Sequence, residues 1–455
     1  MKVKEILKVT KGKMLFGNEE LEVENFSKDT RTIQKGDIYI GIKGEKFDGS
    51  NFWNQALDAG ATAVIISNIQ ISKEEKEKYK DKTIIQVEDT FEALYEIAKY
   101  KRSLYNIPVI AVTGSVGKTS TKDIIASVVS QKYKTLKTEG NNNNNIGLPL
   151  TILKLKDHEA LVVEMGMNHF GEISLLTNIA KPTLAVITNI GTSHIGNLGS
   201  RENILKAKLE ILEGMKIPRV IINNDNDLLH KWYEGNKEKI EIHTYGINNS
   251  SDVIAEKIEL GEEKSKFVVK TSSEKVNIDV PVGGEHFVYN ALCGFMVGKV
   301  LGLTAKEIQN GISKFELTKK RMDIRVLKNG ATLINDSYNA SYESMKASLK
   351  YLSSRTDLRK IAVLGDMLEL GDFSKELHEK VGEEVANDNI DVLICRGEFA
   401  KNIISKANKN KKTQCTLLQN NEEILSKLQE ILKEGDGVLI KASNGMKFYE
   451  ICQKL

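Results

Sequence analysis

One short segment constrains the fold of this chain more than any other. The apolar run IPVIAVTG passes into a turn that contains Gly114 and Gly117, and a helical pattern follows from Lys118. Two glycines let the backbone curl so that its N–H groups point at phosphate oxygens, and the helix dipole favours an anion there. Lys118 can neutralise a phosphate, and the Thr119 hydroxyl can ligate Mg²⁺. The segment therefore predicts a nucleotide-binding loop at the carboxyl end of a strand.

This loop departs from the usual phosphate-loop pattern at one position. Val112 stands where GxxxxGK[ST] has its first glycine, so an ordinary glycine turn that caps a helix is the alternative interpretation. The order of strand, GxxGKT and helix favours nucleotide binding, but it does not separate a GTPase, an ATPase, a kinase or a ligase. The residues predicted to contact the nucleotide are Thr113, Gly114, Ser115, Val116, Gly117, Lys118 and Thr119.

Apolar runs and helical patterns alternate along the 455 residues and divide them into three segments. A prior of roughly 150 residues per domain also gives about three domains. Residues 1–103 predict a small mixed α/β domain. Residues 104–316 predict a central P-loop-type domain with a mostly parallel sheet and an antiparallel extension over 241–282. Residues 317–455 predict a Rossmann-like domain, so the expected fold class is α/β in three domains.

Composition argues against several other classes of protein. With 65 basic and 62 acidic side chains the formal charge is +3, which is not the charge of a broad nucleic-acid-binding surface. No apolar run approaches the roughly 20 residues that span a bilayer, and the N-terminus lacks a signal-peptide core. We therefore expect a cytoplasmic protein. Its four cysteines are far apart without a CxxC pair, so reduced thiols are expected rather than disulfides.

Several polar residues follow the predicted strands of the central domain. Glu164 ends ALVVEM, Asn189 ends LAVITN, His194 comes five residues later, and Lys206 and Lys208 lie on the next helix. Ligands of open α/β sheets gather beyond the carboxyl ends of strands, so these side chains are candidates for a metal or phosphate site. Taken singly, each has an ordinary role as a helix cap, a structural histidine or a solvent-facing lysine. Their joint placement beside the phosphate loop favours function.

Seven motifs together resemble one family over essentially the whole chain. The sequence is similar to the Mur ligases, the ATP-dependent, amide-forming enzymes of peptidoglycan synthesis. The motifs are TGSVGKTSTKD (113–123), TEGNNNNNIGLPLT (138–151), EMGMNHFGEI (164–173), TSHIGNLGSRENILKAKLEI (192–211), GEHFVYNAL (284–292), INDSYNASYESM (334–345) and LGDMLELG (364–371).

The resemblance implies ATP and Mg²⁺ as cofactors and assigns roles around them. It implies that Asn290 contacts adenine, that Arg321 reaches the γ-phosphate, and that Asp336 meets the nucleotide from the third domain. Lys208 matches a lysine that this family carbamylates, a modification that turns a cation into a possible metal ligand. The implied catalytic set is Lys118, His194, Lys208 and Arg321, and the implied metal set is Thr119, Glu164, His194 and, if carbamylated, Lys208.

The same resemblance implies where the other substrate binds. Residues predicted to hold a uridine diphosphate sugar are Ser27, Arg31, Lys43, Gly44, Phe47 and Asp48, although their sequence alone favours plain turn chemistry. Residues predicted to contact the sugar-peptide portion, within a GNxNNxxG loop, are Asn141, Asn143 and Asn144.

Two features place the chain within the family. The third domain lacks the Asp-Asn-Pro-Arg signature of the branch that adds a diamino acid, and its LGDMLELG segment resembles the branch that adds a dipeptide. The implied substrates are UDP-N-acetylmuramoyl-tripeptide and D-alanyl-D-alanine, joined through an acyl phosphate by a monomer. Residues 442–445 (ASNG) depart from the Gly-Ser-Arg expected there. A ligase of another branch or of the folylpolyglutamate type, and a non-catalytic nucleotide-binding module, remain alternatives.

Overall fold

The computed structural model describes residues 1–44, 47–67, 69–262, 264–317, 321–410 and 412–455. Glu45 and Lys46 of the predicted sugar-nucleotide segment lie outside the described residues, as do residues 318–320 beside the predicted second boundary. Within the described ranges the strands form three sheets of five, nine and six strands. Each sheet falls inside one of the three predicted segments, and the α/β fold class is confirmed. The exact boundaries stay predictions.

The first sheet has the order β1-β5-β4-β3-β2, and only the β1–β5 pair is antiparallel. Its strands are β1 (Lys13–Phe16), β2 (Phe26–Ser27), β3 (Ile38–Ile40), β4 (Ala63–Ile66) and β5 (Thr83–Gln86). Its helices are α1 (Val3–Thr10), α2 (Trp53–Asp58), α3 (Lys73–Lys78) and α4 (Thr90–Ser103), with 3₁₀ turns at Thr30–Thr32 and Gly49–Phe52. β3 and β4 are buried along their length, as their unbroken apolar runs predict.

The central sheet has the order β14-β13-β12-β11-β10-β9-β6-β8-β7. Its strands are β6 (Val109–Thr113), β7 (Thr135–Lys137), β8 (Ala160–Glu164), β9 (Leu184–Ile187), β10 (Arg219–Asn223), β11 (Glu241–Gly246), β12 (Val253–Leu260), β13 (Ser265–Lys270) and β14 (Lys275–Val280). The strands from β7 to β12 pair in parallel, and β12, β13 and β14 pair antiparallel. An antiparallel extension is therefore present over β12–β14, but the predicted range of 241–282 was wrong for β11, which pairs in parallel with both of its neighbours.

Helices cover both faces of this sheet, which is why its inner strands are continuous apolar runs. They are α5 (Lys118–Val129), α6 (Gly147–Leu153), α7 (Glu172–Ala180), α8 (Ile195–Leu198), α9 (Arg201–Leu209), α10 (Asp227–Asn236), α11 (Glu285–Val300) and α12 (Ala305–Ser313), with a 3₁₀ turn at Glu210–Leu212. All five residues of β6 are buried.

The third sheet has the order β15-β16-β20-β17-β18-β19 and is parallel except for β15. Its strands are β15 (Asp323–Val326), β16 (Thr332–Asn335), β17 (Arg359–Gly365), β18 (Val392–Arg396), β19 (Gln414–Leu417) and β20 (Asp436–Lys441). Its helices are α13 (Tyr342–Ser354), α14 (Ser374–Asn387), α15 (Ala400–Ala407), α16 (Asn421–Ile431) and α17 (Tyr449–Lys454), with 3₁₀ turns at Gly371–Phe373, Asn408–Asn410 and Asn444–Met446. Parallel strands with intervening helices match the Rossmann-like prediction.

Strand register decides which loops meet. In the central sheet Val112 of β6 lies opposite Glu164 of β8, and Thr113 of β6 lies opposite Ile187 of β9. Because these strands are parallel, the loops that leave their carboxyl ends share one edge. In the third sheet Asn335 of β16 lies opposite Ile440 of β20. The loops after these two strands therefore also lie side by side.

Two sequence-based expectations about the whole chain can be compared with the structure. All four cysteines are free thiols, three of them buried, as predicted. Among the helices of the described residues, none is both long and apolar enough to cross a bilayer.

A buried arginine joins the first and central domains. Arg102, near the end of α4, donates from Nε to the Ala180 carbonyl over 2.8 Å and from Nη2 to the Lys181 carbonyl over 3.4 Å. Its Nη1 donates to the carbonyl of Tyr105 in the connecting segment. The guanidinium thus satisfies carbonyls at the carboxyl end of α7, where a cation is favourable.

Arg102→Ala is expected to lower the free energy of unfolding by about 2 kcal/mol, because it leaves buried carbonyls without their charged donor. The midpoint of thermal unfolding, followed by circular dichroism, should fall by several degrees. Lys80→Ala is a matched control, because Lys80 is exposed and pairs only with Glu77 on the surface. Equal midpoints for the two variants would contradict a structural role for Arg102.

Candidate functional site

The turn after β6 has the shape that a phosphate cradle needs. Gly114 has φ +151°, and a Cβ there would lie 1.9 Å from Thr188 Oγ1, so no side chain fits. Gly117 has φ +79° and caps the start of α5. The Val116 N–H donates to Asn189 Oδ1 over 3.0 Å, and Asn189 Nδ2 donates back to the Val116 carbonyl over 3.0 Å. These contacts hold the turn in one conformation.

Lys118 lies directly over this turn. Its Nζ donates to the Gly114 carbonyl over 2.9 Å and to the Ser115 carbonyl over 3.3 Å. Burial lowers the pKa of Lys118, and the nearby Arg321 charge lowers it further, while Glu164 opposes the shift. An anion bound in the cradle would offset the repulsion between these cations.

A small cluster of oxygen atoms lies beside the cradle. Thr119 Oγ1 donates to Glu164 Oε2 over 2.9 Å, and Asn143 Nδ2 donates to Glu164 Oε1 over 2.7 Å. Glu164 is only 2% exposed, and its backbone N–H donates to Thr138 Oγ1 over 3.0 Å. The structure thereby brings together two residues of the predicted metal set, Thr119 and Glu164.

The donor set of this cluster suits Mg²⁺. Within the described residues no group of three or more His, Cys, Asp or Glu side chains could hold a metal ion by itself. Mg²⁺ in nucleotide sites characteristically takes one or two carboxylates and completes its shell with phosphate oxygens and water. One carboxylate from Glu164 and one hydroxyl from Thr119, next to a phosphate cradle, meet that requirement.

Lys208 of α9 is a buried lysine near this cluster. It is 1% exposed, and the part of the chain that the structure describes offers its ammonium neither a hydrogen bond nor an ion pair. Burial lowers the pKa of Lys208 well below its usual value, and repulsion by Lys118 adds to the effect. Its neighbour Lys206 is exposed. A lysine whose pKa is lowered by burial loses its proton more readily and is more open to chemical modification.

His194, the fourth residue of the predicted metal set, has a partner in the third domain. Its Nδ1 lies 2.7 Å from Glu369 Oε2, at the boundary between the domains. Both residues have a left-handed backbone, with φ +65° for His194 and +64° for Glu369. Such conformations are uncommon for residues other than glycine and concentrate at functional sites. The structure thus pairs His194 with Glu369 across the domain boundary, and its place in the metal set stays a prediction.

A cleft between the central and third domains encloses the cradle, and its empty space is about 1140 Å³ including the open mouth. The guanidinium carbon of Arg321 lies 4.2 Å from the ring centroid of Tyr338, and its buried Nε has no hydrogen-bond partner among the described residues. Asp336 accepts from Ser348 Oγ over 2.7 Å and pairs with the buried ammonium of Lys441. Burial opposes the ionisation of Asp336, but the Lys441 charge holds its pKa below the usual value.

Helix α11 forms another wall of the cleft. Asn290 accepts from Thr121 Oγ1 over 3.0 Å, and a Cβ at Gly117 would lie 3.4 Å from its Oδ1. Asn290 therefore lies against the phosphate loop, and the adenine contact that the resemblance implies stays a prediction. His286, one helical turn earlier, also lines the cleft, and burial lowers its pKa to about 4.

The first predicted sugar-nucleotide segment begins at the carboxyl end of β2. Ser27 Oγ accepts from the Asp29 N–H over 3.2 Å, and Asp29 caps the 3₁₀ turn that follows. Arg31 forms two hydrogen bonds with the Asp29 carboxylate, over 2.8 and 2.6 Å. These are the turn contacts that the sequence alone favoured.

The second predicted sugar-nucleotide segment follows β3, which is parallel to β2, so both segments leave the same edge of the sheet. Lys43 and Asp48 form an antiparallel bridge, and the Gly44 N–H donates to the Phe47 carbonyl over 2.9 Å. Phe47 is 64% exposed and contacts Phe52 edge-on. An exposed aromatic ring beside this bridge is available for stacking.

The asparagine run forms a loop, as predicted, but its side chains differ in what they do. Asn143 contacts Glu164 in the site. Asn144 Oδ1 accepts from the backbone N–H groups of Ile146 and Gly147, over 3.2 and 2.8 Å, and so caps the start of α6. Asn141 is exposed. Of the three predicted asparagine side chains, the structure thus places Asn143 at the oxygen cluster around Glu164.

Five residues of the site went unrecognised in the sequence, although all but one lie inside the motifs quoted above. They are His286, Tyr338, Glu343, Glu369 and Lys441. Lys441 is the exception, and the only signal for it was its position at the end of the apolar strand DGVLIK. The motifs marked the right segments without indicating which side chain of each segment faces the cleft.

Comparison with known proteins settles the family. The chain is 37% identical to the UDP-N-acetylmuramoyl-tripeptide--D-alanyl-D-alanine ligase of Bacillus subtilis, and the match covers 100% of this chain and 98% of that protein. The chain belongs to the Mur ligase family. Family models agree along the chain: the Mur ligase family catalytic domain matches residues 22–102, the Mur ligase middle domain 112–298, and the Mur ligase glutamate ligase domain 320–444.

Solved structures of Mur ligases have the same architecture. A crystal structure of MurF from Acinetobacter baumannii superimposes with a TM-score of 0.88 at 30% identity, covering 100% of this chain and 98% of that one. The structure of MurF ligase from Thermotoga maritima in complex with ADP gives a TM-score of 0.80 at 28% identity, covering 96% of this chain and 98% of that one. The three-domain Mur ligase fold therefore extends over the whole chain.

His286 makes the stability of this Mur ligase depend on pH. Its folded-state pKa of about 4 lies below the unfolded value near 6.5, so the unfolded state binds more protons between these pH values. The contribution of His286 to the free energy of unfolding is therefore fully present above about pH 6.5 and decreases as the pH falls.

When the pH is lowered from about 7 to about 5, the free energy of unfolding measured in urea should fall by about 1–2 kcal/mol less for His286→Gln than for the wild type. The exposed His169→Gln variant should behave as wild type; identical pH dependence in all three proteins would contradict this role.

Proposed function

We propose that this Mur ligase uses ATP to join D-alanyl-D-alanine to UDP-N-acetylmuramoyl-tripeptide, the step that completes the pentapeptide precursor of peptidoglycan. The observation that carries the proposal is the cleft, in which the phosphate cradle of one domain faces Arg321, Asp336 and Lys441 of the next. The choice of substrates is supported by the names of relatives that match the full length of the chain.

Sequence and geometry favour this branch over others. The third domain lacks the Asp-Asn-Pro-Arg signature, and its LGDMLELG segment lies directly against the central domain. A Cβ at Gly196 of α8 would lie 2.6 Å from the Gly371 backbone nitrogen, and the Gly196 N–H donates to the Glu369 carbonyl over 3.1 Å. The segment that distinguishes the branches thus packs against α8 of the central domain, which supports a role for it in binding the acceptor.

The chain's own residues would hold ATP along the cleft. Backbone N–H groups of the turn from Gly114 to Gly117 and the start of α5 would bind the β- and γ-phosphates. Lys118 would leave the loop carbonyls for a phosphate oxygen, and Arg321, whose Nε lacks a partner, would reach the γ-phosphate. Asn290 would contact the base. The cations around this site would lose their mutual repulsion on binding a polyphosphate.

Amide formation from a carboxylate needs an activated acid. The terminal carboxylate of the tripeptide attacks the γ-phosphorus, the bond to ADP breaks, and an acyl phosphate forms. Lys118 and Arg321 stabilise the charge that spreads over the transferring phosphoryl oxygens. The amine of the dipeptide then attacks the acyl carbon, loses a proton, and expels inorganic phosphate from the tetrahedral intermediate.

Thr119 and Glu164 would hold Mg²⁺, with Asn143 fixing the carboxylate by its 2.7 Å hydrogen bond. Bound Mg²⁺ supplies charge neutralisation at phosphate oxygens. Thr138 keeps Glu164 in place through the backbone, so the ligand is oriented before the nucleotide arrives.

Lys208 would be carbamylated. Its lowered pKa favours the neutral amine, whose lone pair can attack CO₂ to give a carbamate with loss of a proton. The carbamate carries a negative charge, which attracts the Lys118 ammonium instead of repelling it as a protonated lysine would. His194, paired with Glu369 at the domain boundary, would lie next to the metal shell rather than at the cradle.

The UDP-sugar part of the second substrate would bind outside this cleft, on the first domain. The segments around Ser27, Arg31 and Phe47 would hold the uridine diphosphate, and Asn143 would meet the peptide end near the phosphates. We further propose that the enzyme is a cytoplasmic monomer, because its donor and acceptors are small soluble molecules. A nucleotide-binding module without ligase activity would explain the cradle but not the enclosed cleft.

Incubation with ATP, UDP-N-acetylmuramoyl-tripeptide and D-alanyl-D-alanine should give the pentapeptide product by mass spectrometry, with phosphate release dependent on both substrates. Glutamate and diamino acids offered in place of the dipeptide should give no product. Lys118→Ala should reduce turnover by about 10³-fold or more, because a charge on the transferring phosphoryl group is lost. Binding of ATP without any product would favour the module instead, and normal turnover of the variant would reject the cradle.

Lys208→Ala should abolish turnover, and a small carboxylate such as formate should restore part of it by taking the place of the carbamate. Isotopically labelled bicarbonate should give a carbamate signal in the wild-type protein by NMR that is missing in this variant. Lys206→Ala is the matched control, because Lys206 lies two residues before Lys208 on α9 and is exposed. Full activity of Lys208→Ala without added carboxylate would show that the carbamate is unnecessary.

A further inference from the structure

The loop after β9, residues 190–193, is held by the third domain through one carboxylate. Glu343, in the first turn of α13, accepts from the Thr192 N–H over 2.8 Å at Oε1 and from Thr192 Oγ1 over 3.1 Å at Oε2. Both carboxylate oxygens of Glu343 therefore accept hydrogen bonds from Thr192 across the domain boundary. Neither Glu343 nor Thr192 belongs to the nucleotide or metal sets described above.

Gly191 makes this contact possible. A Cβ at Gly191 would lie 2.5 Å from the carboxyl carbon of Glu343 and within 2.8 Å of both its oxygens. No left-handed φ requires glycine at this position. The space that the missing side chain leaves is instead the space that the Glu343 carboxylate fills.

The same loop is bonded to the phosphate cradle. The Gly191 N–H donates to Ser115 Oγ over 2.9 Å, and Ser193 Oγ donates to the Ser115 carbonyl over 3.3 Å. Residues of the loop on either side of Thr192 thus contact one residue of the cradle. The base of the loop is fixed as well, because Arg201 donates to the Ile190 carbonyl over 2.8 Å.

We propose that Glu343 is a positioning residue that couples closure of the third domain to the phosphate cradle. When the third domain approaches, Glu343 takes up the Thr192 donors and fixes the loop that contacts Ser115, so closure restrains the cradle on its Ser115 side. The proposal rests on the proposed ligase function, because closure matters where an acyl phosphate must be kept from water. Glu343 lines the cleft, and the role proposed for it acts through Thr192 rather than on the reacting atoms.

The chemistry of the contact explains why a carboxylate is needed. A charged acceptor forms stronger hydrogen bonds than a neutral one, and it can accept from a backbone N–H and a hydroxyl at once. Removing it would leave the Thr192 N–H without its acceptor in the closed state but not in the open state, where water reaches the loop. The loss should therefore act on closure rather than on folding.

Glu343→Ala should lower kcat about 10- to 100-fold, while the KM for the UDP-tripeptide changes less than about twofold. Small-angle scattering should show that a non-hydrolysable ATP analogue with the UDP-tripeptide compacts the wild type more than this variant. Glu343→Gln, which keeps one acceptor oxygen, should lie between them. Glu376→Ala is the matched control, since Glu376 is an exposed residue of the same domain that pairs only with Lys380.

Gly191→Ala tests the same contact from the other side. Its Cβ would displace the flexible end of Glu343 without changing any charge, so it should lower kcat and compaction as Glu343→Ala does. Because both changes break one contact, the double variant should be no worse than either single variant. If Glu343→Ala fails to fold, Gly191→Ala and Glu343→Gln carry the test.

Each result decides the question. Reduced kcat together with reduced compaction, and no further loss in the double variant, supports the coupling. Wild-type compaction in Glu343→Ala, or additive losses in the double variant, would overturn it. If the wild type forms no amide product, the proposed function fails, and the scattering comparison with the ATP analogue still decides whether Glu343 controls closure.

Discussion

The close approach of Gly114 to Thr188 is the constraint on which the rest of the site depends. A glycine in this conformation brings the turn after β6 against the loop after β9, where Asn189 and Thr188 hold its backbone. The neighbouring strand β8 ends at Glu164 on the same edge, within hydrogen-bond reach of Thr119. The phosphate cradle and the oxygen cluster are thus formed together at the carboxyl ends of three adjacent parallel strands, β8, β6 and β9.

The positive charge gathered at this edge of the central sheet explains why a second domain is needed there. The Arg321 charge lowers the pKa of Lys118, the Lys118 charge lowers that of Lys208, and Glu164 opposes only the shift of Lys118. A bound polyphosphate supplies the missing negative charge, and the third domain adds the Asp336–Lys441 pair to the opposite wall. The site is therefore most stable electrostatically when nucleotide is bound and the domains are together.

The boundary between the two domains is specific rather than merely apolar. Two carboxylates of the third domain, Glu343 and Glu369, contact consecutive parts of the segment from Gly191 to Gly196. A side chain at Gly196 would meet the backbone of residues 369–371, and one at Gly191 would meet the Glu343 carboxylate. Directional hydrogen bonds of this kind fix the alignment of the third domain with the cradle, which apolar contacts alone would not do.

Much of this could be read from the sequence because local chemistry is explicit there. The glycines and lysine of the phosphate loop, the strand-end Glu164 and the three α/β segments all follow from periodicity and spacing. Residue pattern alone could not separate buried Lys208 from exposed Lys206, a choice that only the family resemblance made, and neither separated Asn143 in the site from Asn144 at a helix cap. In each pair the residue types and local patterns are the same, and only packing decides which one faces the site.

The sequence by itself therefore determined the class of fold, the phosphate cradle and the segments that surround it. Tertiary structure alone decided the partners: Glu369 for His194, Lys441 for Asp336, and Glu343 for Thr192. The physical reason is distance along the chain. Turns and helix starts are governed by neighbouring residues, whereas pairing across a domain boundary depends on strand order and register, which no local pattern records.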